Sequence, residues 1–353
     1  MKFRLKTGIL FLCISLIRCS SHLAPATPNL PAVPTDTSIP AGLTQEQLIT
    51  LSSLQKVDDY PLYTMVYAGA YRPRTTALPL ENPVITTNSP PAWACSLFTV
   101  LLDEDNLLYG RNFDWQFSPA LLLFTDPPDG YASVSMVDIE YLGFDSSPAG
   151  NVTALPIEEQ TGLLDAPYLP FDGMNEYGLA IGMAAVPPGN VKSDVTKETI
   201  GSLGIIRQML DHARTVDEAV DIIKNYNIDF DDGPPIHYLI ADVTGKSALV
   251  EYYNGEMFVL YNEQPWHLAT NFLRSSVDDP KDGNCWRYNK IATQLTKTAG
   301  QVDAEMAMQL LANVAQGNTQ WSIIYQMSSG VTSVAMGQQY QEIHQFQLDL
   351  VNP

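Results

Sequence analysis

The spacing of apolar positions divides the chain into a helical start, a strand-rich body and two late helices. Leu43 to Val57 has apolar residues at helical intervals, and a helix is expected there. "CSLFTVLL" and "LLYGRNFDW" are apolar runs on either side of "DEDN", the pattern of a hairpin with a polar turn. "YASVSMVDIEYLGF" reads as a strand, and "MNEYGLAIGMAAV" as a turn feeding a buried strand. "TVDEAVDIIKNYN" opens with Thr215 and Glu218 at capping-box spacing and continues as an amphipathic helix. "HYLIADVTGKSALVEYYNGEMFVLY" predicts three strands joined at "TGK" and "NGE". "HLATNF" predicts another strand, and residues 285–297 and 302–316 predict helices. "QWSIIYQM", "GVTSVAMG" and "EIHQFQLDL" predict closing strands. Hairpins separated by helix pairs imply helices layered around antiparallel sheets, and no fixed-period repeat is present.

Two stretches break the pattern. Residues 20–40 carry prolines at 25, 28, 31, 34 and 40 and read as an extended linker. "LENPVITTNSPPA", residues 80–92, reads as an exposed loop ending just before Cys95. Ahead of both, "MKFRLKTGILFLCISLIRCSS" joins a basic start to an apolar run, Gly8 to Ile17, too short to span a bilayer and of secretory-leader form. The expected layout is a signal peptide over 1–19, a linker over 20–40, a propeptide or small subunit over 41–94 and the main domain over 95–353. The protein would be secreted. Cys19 stands where a lipoprotein cysteine would, so lipidation there would instead hold it at the cell envelope. No later stretch is long and apolar enough for a transmembrane helix.

Composition narrows the classes. At 353 residues and 45% hydrophobic, the chain can bury a sizeable core. The formal net charge is −20, and the first nineteen residues carry Lys2, Arg4, Lys6 and Arg18 and no acid, so the remainder is more acidic still. Such a surface repels phosphate backbones, and no nucleic-acid partner is expected. Of Cys13, Cys19, Cys95 and Cys285, only the last two lie clearly within the fold, and a disulfide between them is one reading. No CxxC or Cys/His cluster has metal-ligand spacing, and neither metal nor cofactor is expected.

The second reading of Cys95 is chemical. A nucleophilic thiol needs a base or a lowered pKa. His237 or His267 could serve as base. Alternatively the base is the α-amine of Cys95 itself, whose ordinary pKa is about 7.7–8.0, after cleavage at Ala94–Cys95. The cysteine is followed by a strand rather than by a helix N-terminus that would lower its pKa, which favours the α-amine. Cys95–Ser96 followed by "YGRNFDW" resembles the N-terminal-nucleophile (Ntn) cysteine hydrolases: choloylglycine hydrolase, penicillin V acylase and the acid ceramidase / N-acylethanolamine acid amidase branch. That family places an Arg sixteen and an Asp nineteen residues after the nucleophile, as Arg111 and Asp114 stand here. "ATNF" resembles its TN motif, giving Asn271, and "CWRYNKI" its downstream Arg motif, giving Arg287. The short gap between these two is similar to the ceramidase/amidase branch, whereas "NEYGLAIG" resembles the bile-salt side.

The resemblance spans roughly 90–350 and implies an α+β, αββα four-layer sandwich with antiparallel sheets. It implies a linear amide hydrolase acting on a small-molecule N-acyl amide through an acyl-thioester. Cys95 would be nucleophile and base, Arg111 would stabilise the thiolate, and Asp114 would hold the α-amine. Asn271 would donate to the oxyanion, and Arg287 would set the electrostatics or meet substrate. Ala185 stands where relatives carry a second polar oxyanion donor. Bland readings stay open beside these: an Arg111–Asp114 surface ion pair, Asn271 as a strand end, Arg287 as a solvated helix residue, Asn175 with Gly178 as a turn. Trp93, Trp115, Phe117 and Phe124 would line an acyl cleft or sit in the core. Two alternative functions also remain, an acyltransferase and an inactive cell-surface binding protein on the same fold, as do a membrane tether through Cys19 and a homo-oligomer.

Overall fold

The computed structural model describes residues 39–71, 94–144, 150–188, 191–230 and 233–351. The leader over 1–19, nearly all of the linker, the 80–92 loop and Trp93 lie outside these residues. The described part of the N-terminal segment forms helix α1 (Gln45–Ser52) and strands β1 (Gln55–Asp58) and β2 (Leu62–Tyr67). The helix expected to reach Val57 therefore stops early. Thr44 and Gln47 form a reciprocal capping box at its start, and Gln55–Asp58 pairs with β2 instead. A hairpin follows, β3 (Ser96–Val100) and β4 (Leu108–Asp114), then β5 (Ala120–Thr125), β6 (Ser133–Asp138), β7 (Asp172–Asn175) and β8 (Ala180–Ala185). The run expected to be one strand to Phe144 leaves the sheet at Asp138, whose side chain caps a short 3₁₀ turn at the Glu140 N–H.

The small parallel pair β9 (Glu198–Gly201) and β10 (Tyr226–Asp229) brackets helices α2 (Gly204–His212) and α3 (Val216–Lys224). Thr215 caps α3 through the Glu218 N–H, but the Glu218 carboxylate accepts from Arg214 N–H, so the expected capping box is only half made. Strands β11 (Ile236–Ala241), β12 (Ser247–Tyr253), β13 (Glu256–Tyr261) and β14 (Trp266–Ala269) come next. Helices α4 (Trp286–Thr298) and α5 (Ala304–Val314) and strands β15 (Thr319–Gln326), β16 (Val331–Met336) and β17 (His344–Gln347) end the chain.

Two large sheets result. One runs β1-β2-β5-β6-β7-β8-β11-β12-β13 and the other β14-β3-β4-β15-β16-β17. Side chains alternate across each strand, and this sorts the core into layers. Leu97, Tyr109, Phe113, Trp321, Ile323 and Tyr325 face the nine-stranded sheet. Phe98, Val100, Leu108 and Ile324 face α4 and α5 through Ile291, Leu295 and Leu311. α2 and α3 cover the other side of the nine-stranded sheet. The order helix–sheet–sheet–helix is the expected αββα sandwich.

Candidate active site

Cys95 stands immediately before β3, and pairing of β3 with β4 puts Leu97 opposite Arg111. By strand alternation Cys95, Leu97 and Arg111 share the face between the sheets. The Arg111 Nη2 lies 4.0 Å from the Cys95 Sγ. Both side chains are buried. Burial pushes the Cys95 thiol up, and the Arg111 charge works in the opposite sense.

Arg111 crosses to the nine-stranded sheet and pairs with Asp172 on β7. Asp172 also accepts from Tyr325 Oη at 2.6 Å and Trp321 Nε1 at 3.3 Å. Gly182, opposite Asp172 in the β7–β8 ladder, leaves room for this crossing. A Cβ there would stand 2.7 Å from Tyr109 Oη and 3.3 Å from Arg111 Cδ. Burial would lower the Arg111 pKa, but the Asp172 carboxylate reverses this and the group is raised. The Arg111–Asp114 ion pair is therefore replaced by Arg111–Asp172. Three residues apart on a strand, Arg111 and Asp114 point to opposite faces. Asp172 was missed in the sequence, where its only signal is an acid inside the apolar run "LPFDGMN".

Asp114 is buried, and its Oδ1 accepts from Thr319 Oγ1 at 2.5 Å. Its Oδ2 has no hydrogen-bond partner among the described residues. Burial pushes it up to about 7, against the Thr319 hydroxyl and the Arg287 and Arg111 charges. Asn271 follows β14 by two residues, because the strand expected over "HLATNF" already ends at Ala269. Its Oδ1 accepts from the Cys95 N–H at 2.7 Å and from Arg287 Nη2 at 2.8 Å, and its Nδ2 donates to Ala185 O at 2.8 Å. Two donors on the oxygen fix which way the amide points. Arg287, in the first turn of α4, is buried rather than solvated. It donates to the Cys95 carbonyl and, at 2.9 Å, to Ser96 Oγ. All five expected site residues thus converge on the Ala94–Cys95 junction, Asp114 through its carbonyl, which accepts from Ala94 N–H at 3.2 Å.

The remaining candidates separate. Asn175 ties a turn, donating to Leu210 O and Ala213 O and accepting from the Tyr177 and Leu179 N–H groups. His237 is bonded to Glu251 at 2.8 Å and His267 to Ser247 at 3.1 Å. Burial and the Arg274 charge bring His267 down to about 4. Cys95 and Cys285 are free thiols, so the disulfide reading is replaced by a free thiol beside Arg111. Phe124 is buried, Trp115 stacks on Phe113, and Phe117 packs edge-on to Tyr60, all as core or core-edge contacts.

Residues 95–272 match the model of the linear amide C–N hydrolases, choloylglycine hydrolase family. A cysteine-to-alanine mutant of conjugated bile acid hydrolase from Clostridium perfringens is similar in structure, with a TM-score of 0.51 and 18% identity over 73% of this chain and 93% of that one. An arginine-to-leucine variant of the conjugated bile acid hydrolase from the same organism gives 0.51 and 17% over 73% and 94%. Penicillin V acylase from Agrobacterium tumefaciens gives 0.47 and 15% over 69% and 83%. At these identities the likeness to the bile acid hydrolase structures speaks for the fold, which is that of the Ntn hydrolases. With the family match starting at Cys95 and covering half of the chain, the protein belongs to the choloylglycine hydrolase family of linear amide C–N hydrolases.

Proposed function

We propose that the protein hydrolyses a small-molecule N-acyl amide with the Cys95 thiol, after that thiol has cut the Ala94–Cys95 peptide. The observation that carries this reading is the treatment of the Cys95 main chain. Its N–H is held by Asn271 and its C=O by Arg287, while its Sγ lies beside Arg111. A residue that served only packing would not need its own peptide groups gripped by two polar side chains. In the cut, Sγ bonds to the Ala94 carbonyl carbon, the C–N bond breaks and the Cys95 nitrogen takes the thiol proton. Water then hydrolyses the thioester to the Ala94 carboxylate and a free thiol.

In turnover the new α-amine accepts the thiol proton, and Sγ attacks the substrate carbonyl. Asn271 Nδ2 carries a second N–H beside the one on Ala185, suited to the developing oxyanion. The amine product leaves with the proton, and water releases the acid from the acyl-thioester. Arg111, held by Asp172, favours the thiolate. The bare Asp114 Oδ2 suits an α-ammonium. In the same reading the chain is exported, and lipidation at Cys19 would leave an anchor on residues 19–94.

Intact mass and N-terminal sequencing of wild type beside Cys95→Ala test the proposal, followed by an amide panel with and without an added amine acceptor. A fragment starting at Cys95 in wild type alone, with free acid as product, is the expected result. An uncut wild-type chain would overturn it. Acyl transfer to the added amine would replace hydrolysis by transferase chemistry.

A further inference from the structure

The segment that carries Asn271 leaves β14 and turns away from its own sheet. What holds it lies on the other sheet. Asn271 Nδ2 donates to Ala185 O on β8. Three residues further on, the Arg274 N–H donates to Glu251 Oε1 at 2.9 Å, and the Ser275 N–H to Glu251 Oε2 at 2.8 Å. Glu251 is on β12. Between β8 and β12 runs β11, whose His237 is opposite Ala184 and donates or accepts at Nδ1 with Glu251 Oε1 at 2.8 Å. Two strands of one sheet, β8 and β12, therefore hold one loop of the other near both of its ends, and His237 of the intervening β11 braces Glu251.

Glu251 and His237 are fully buried. Burial would push the Glu251 carboxyl up, yet the His237 hydrogen bond and charge and the two loop N–H groups outweigh it, and the group lies below the usual value. It is an anionic acceptor for two parallel N–H donors, a stronger arrangement than a neutral one. The His237 Nε2 and the Thr270 Oγ1 have no hydrogen-bond partner among the described residues. A buried carboxylate is weak evidence of a purely stabilising role. Its contacts point to a different use.

We infer that Glu251, oriented by His237, is a positioning residue that holds the 270–276 loop so that Asn271 meets the reacting carbonyl. This rests on the reading of Asn271 as oxyanion donor. The device reaches Cys95 only through Asn271, whose Oδ1 accepts from the Cys95 N–H; the Sγ itself lies beside Arg111, which Asp172 holds. The device thus separates two parts of the chemistry: Arg111 and Asp172 act on the nucleophile, Glu251 and His237 on the oxyanion donor.

The test uses full-length Glu251→Gln, Glu251→Ala and His237→Ala beside wild type. Three readouts are taken: hydrogen exchange of a peptide covering 270–277, the rate of Cys95 alkylation by iodoacetamide, and kcat and KM on the amide that wild type cleaves best. Expected are at least tenfold faster exchange in Glu251→Ala, with alkylation within twofold of wild type. kcat should fall about 10–100-fold at a KM within twofold. Glu251→Gln keeps an oxygen for one loop N–H and should lie between, and it carries the test if Glu251→Ala does not fold. Loop exchange unchanged in the variants overturns the anchor, and loop exchange raised with kcat intact overturns the positioning role. Wild type without amidase activity would instead refute the proposed function, with the exchange data still deciding whether Glu251 anchors the loop.

Discussion

Asp172 and Asp138 show how differently two buried acids can behave. Asp172 is surrounded by donors, and its loss would strand the Arg111 charge between the sheets. Asp172→Asn should lower stability by about 3–5 kcal/mol, the cost of orphaning one member of a buried pair. Urea denaturation would measure it, and a change under 1 kcal/mol would contradict the geometry. Asp138 accepts one backbone N–H, from Glu140, and its Oδ2 has no hydrogen-bond partner among the described residues. Burial pushes it up to about 7 from the ordinary 3.8, as it does Asp114. With the folded value above the unfolded one, the folded state holds the proton between about pH 4 and 7 while the unfolded chain has lost it. Unfolding free energy therefore falls as pH rises through that window, by on the order of a few kcal/mol per group. Asp138→Asn should remove its share, so that the urea midpoint drops less between pH 5 and 7.5 than in wild type. An equal drop would show that Asp138 does not titrate in this window. Cys95, Arg111, Asp114, Asn271 and Arg287 were singled out in the sequence by resemblance to family motifs at fixed spacing. Asp172 and Glu251 were not, because each acts on a residue more than twenty positions away, and no local pattern marks such a pairing.

Among the elements, the hairpin β3–β4 and helix α4 decide the site. The hairpin was readable because apolar runs flank an acidic turn, and its alternation put Cys95 and Arg111 on one face. Alternation also separates Arg111 from Asp114, which the three-residue spacing had suggested as a pair. Helix α4 brings Arg287 across Cys95, Ser96 and Asn271 through a forked guanidinium. Arg287→Lys keeps the charge but cannot span these partners, and should slow the proposed cleavage at Ala94–Cys95 at least tenfold. The rate of appearance of the 95–353 fragment would measure this, and a wild-type rate would refute the fork. Gly182→Ala tests the packing between the sheets. Its Cβ would press on Tyr109, Leu97 and Arg111, and a loss of about 1–3 kcal/mol is expected from overpacking. Helix α2 and strand β5 escaped the sequence reading. α2 is buried along most of its length, including Arg207 and Asp211, and so lacks a clean polar face. β5 is apolar on both faces and shows no alternation.

For the molecule as a whole, the N-terminal segment is a structural part of the sandwich rather than an appendage. β2 pairs in parallel with β5 through six residues, from Leu62 opposite Ala120 to Tyr67 opposite Thr125. Asp58 bonds His344 at 2.7 Å and Tyr60 bonds Gln320 at 2.8 Å, tying the same segment to the six-stranded sheet. If Ala94–Cys95 is cut, the two chains should co-elute in native gel filtration and separate only in denaturant. A 95–353 chain that runs alone and remains folded and active would contradict this. No described helix is long and apolar enough to cross a membrane. Apolar period and turn chemistry, which are local properties, were enough to read most strands, the late helices and the layered class from the chain alone. The five candidate site residues came from resemblance to motifs at fixed spacing, which the structure distributes over the β3–β4 hairpin, the segment after β14 and the first turn of α4. Which carboxylate neutralises Arg111, which way the Asn271 amide points, and what holds its loop depend on groups brought together from opposite sheets. Those contacts exist only once the two sheets pack face to face, because burial is what makes each of these charges and amides require a specific partner.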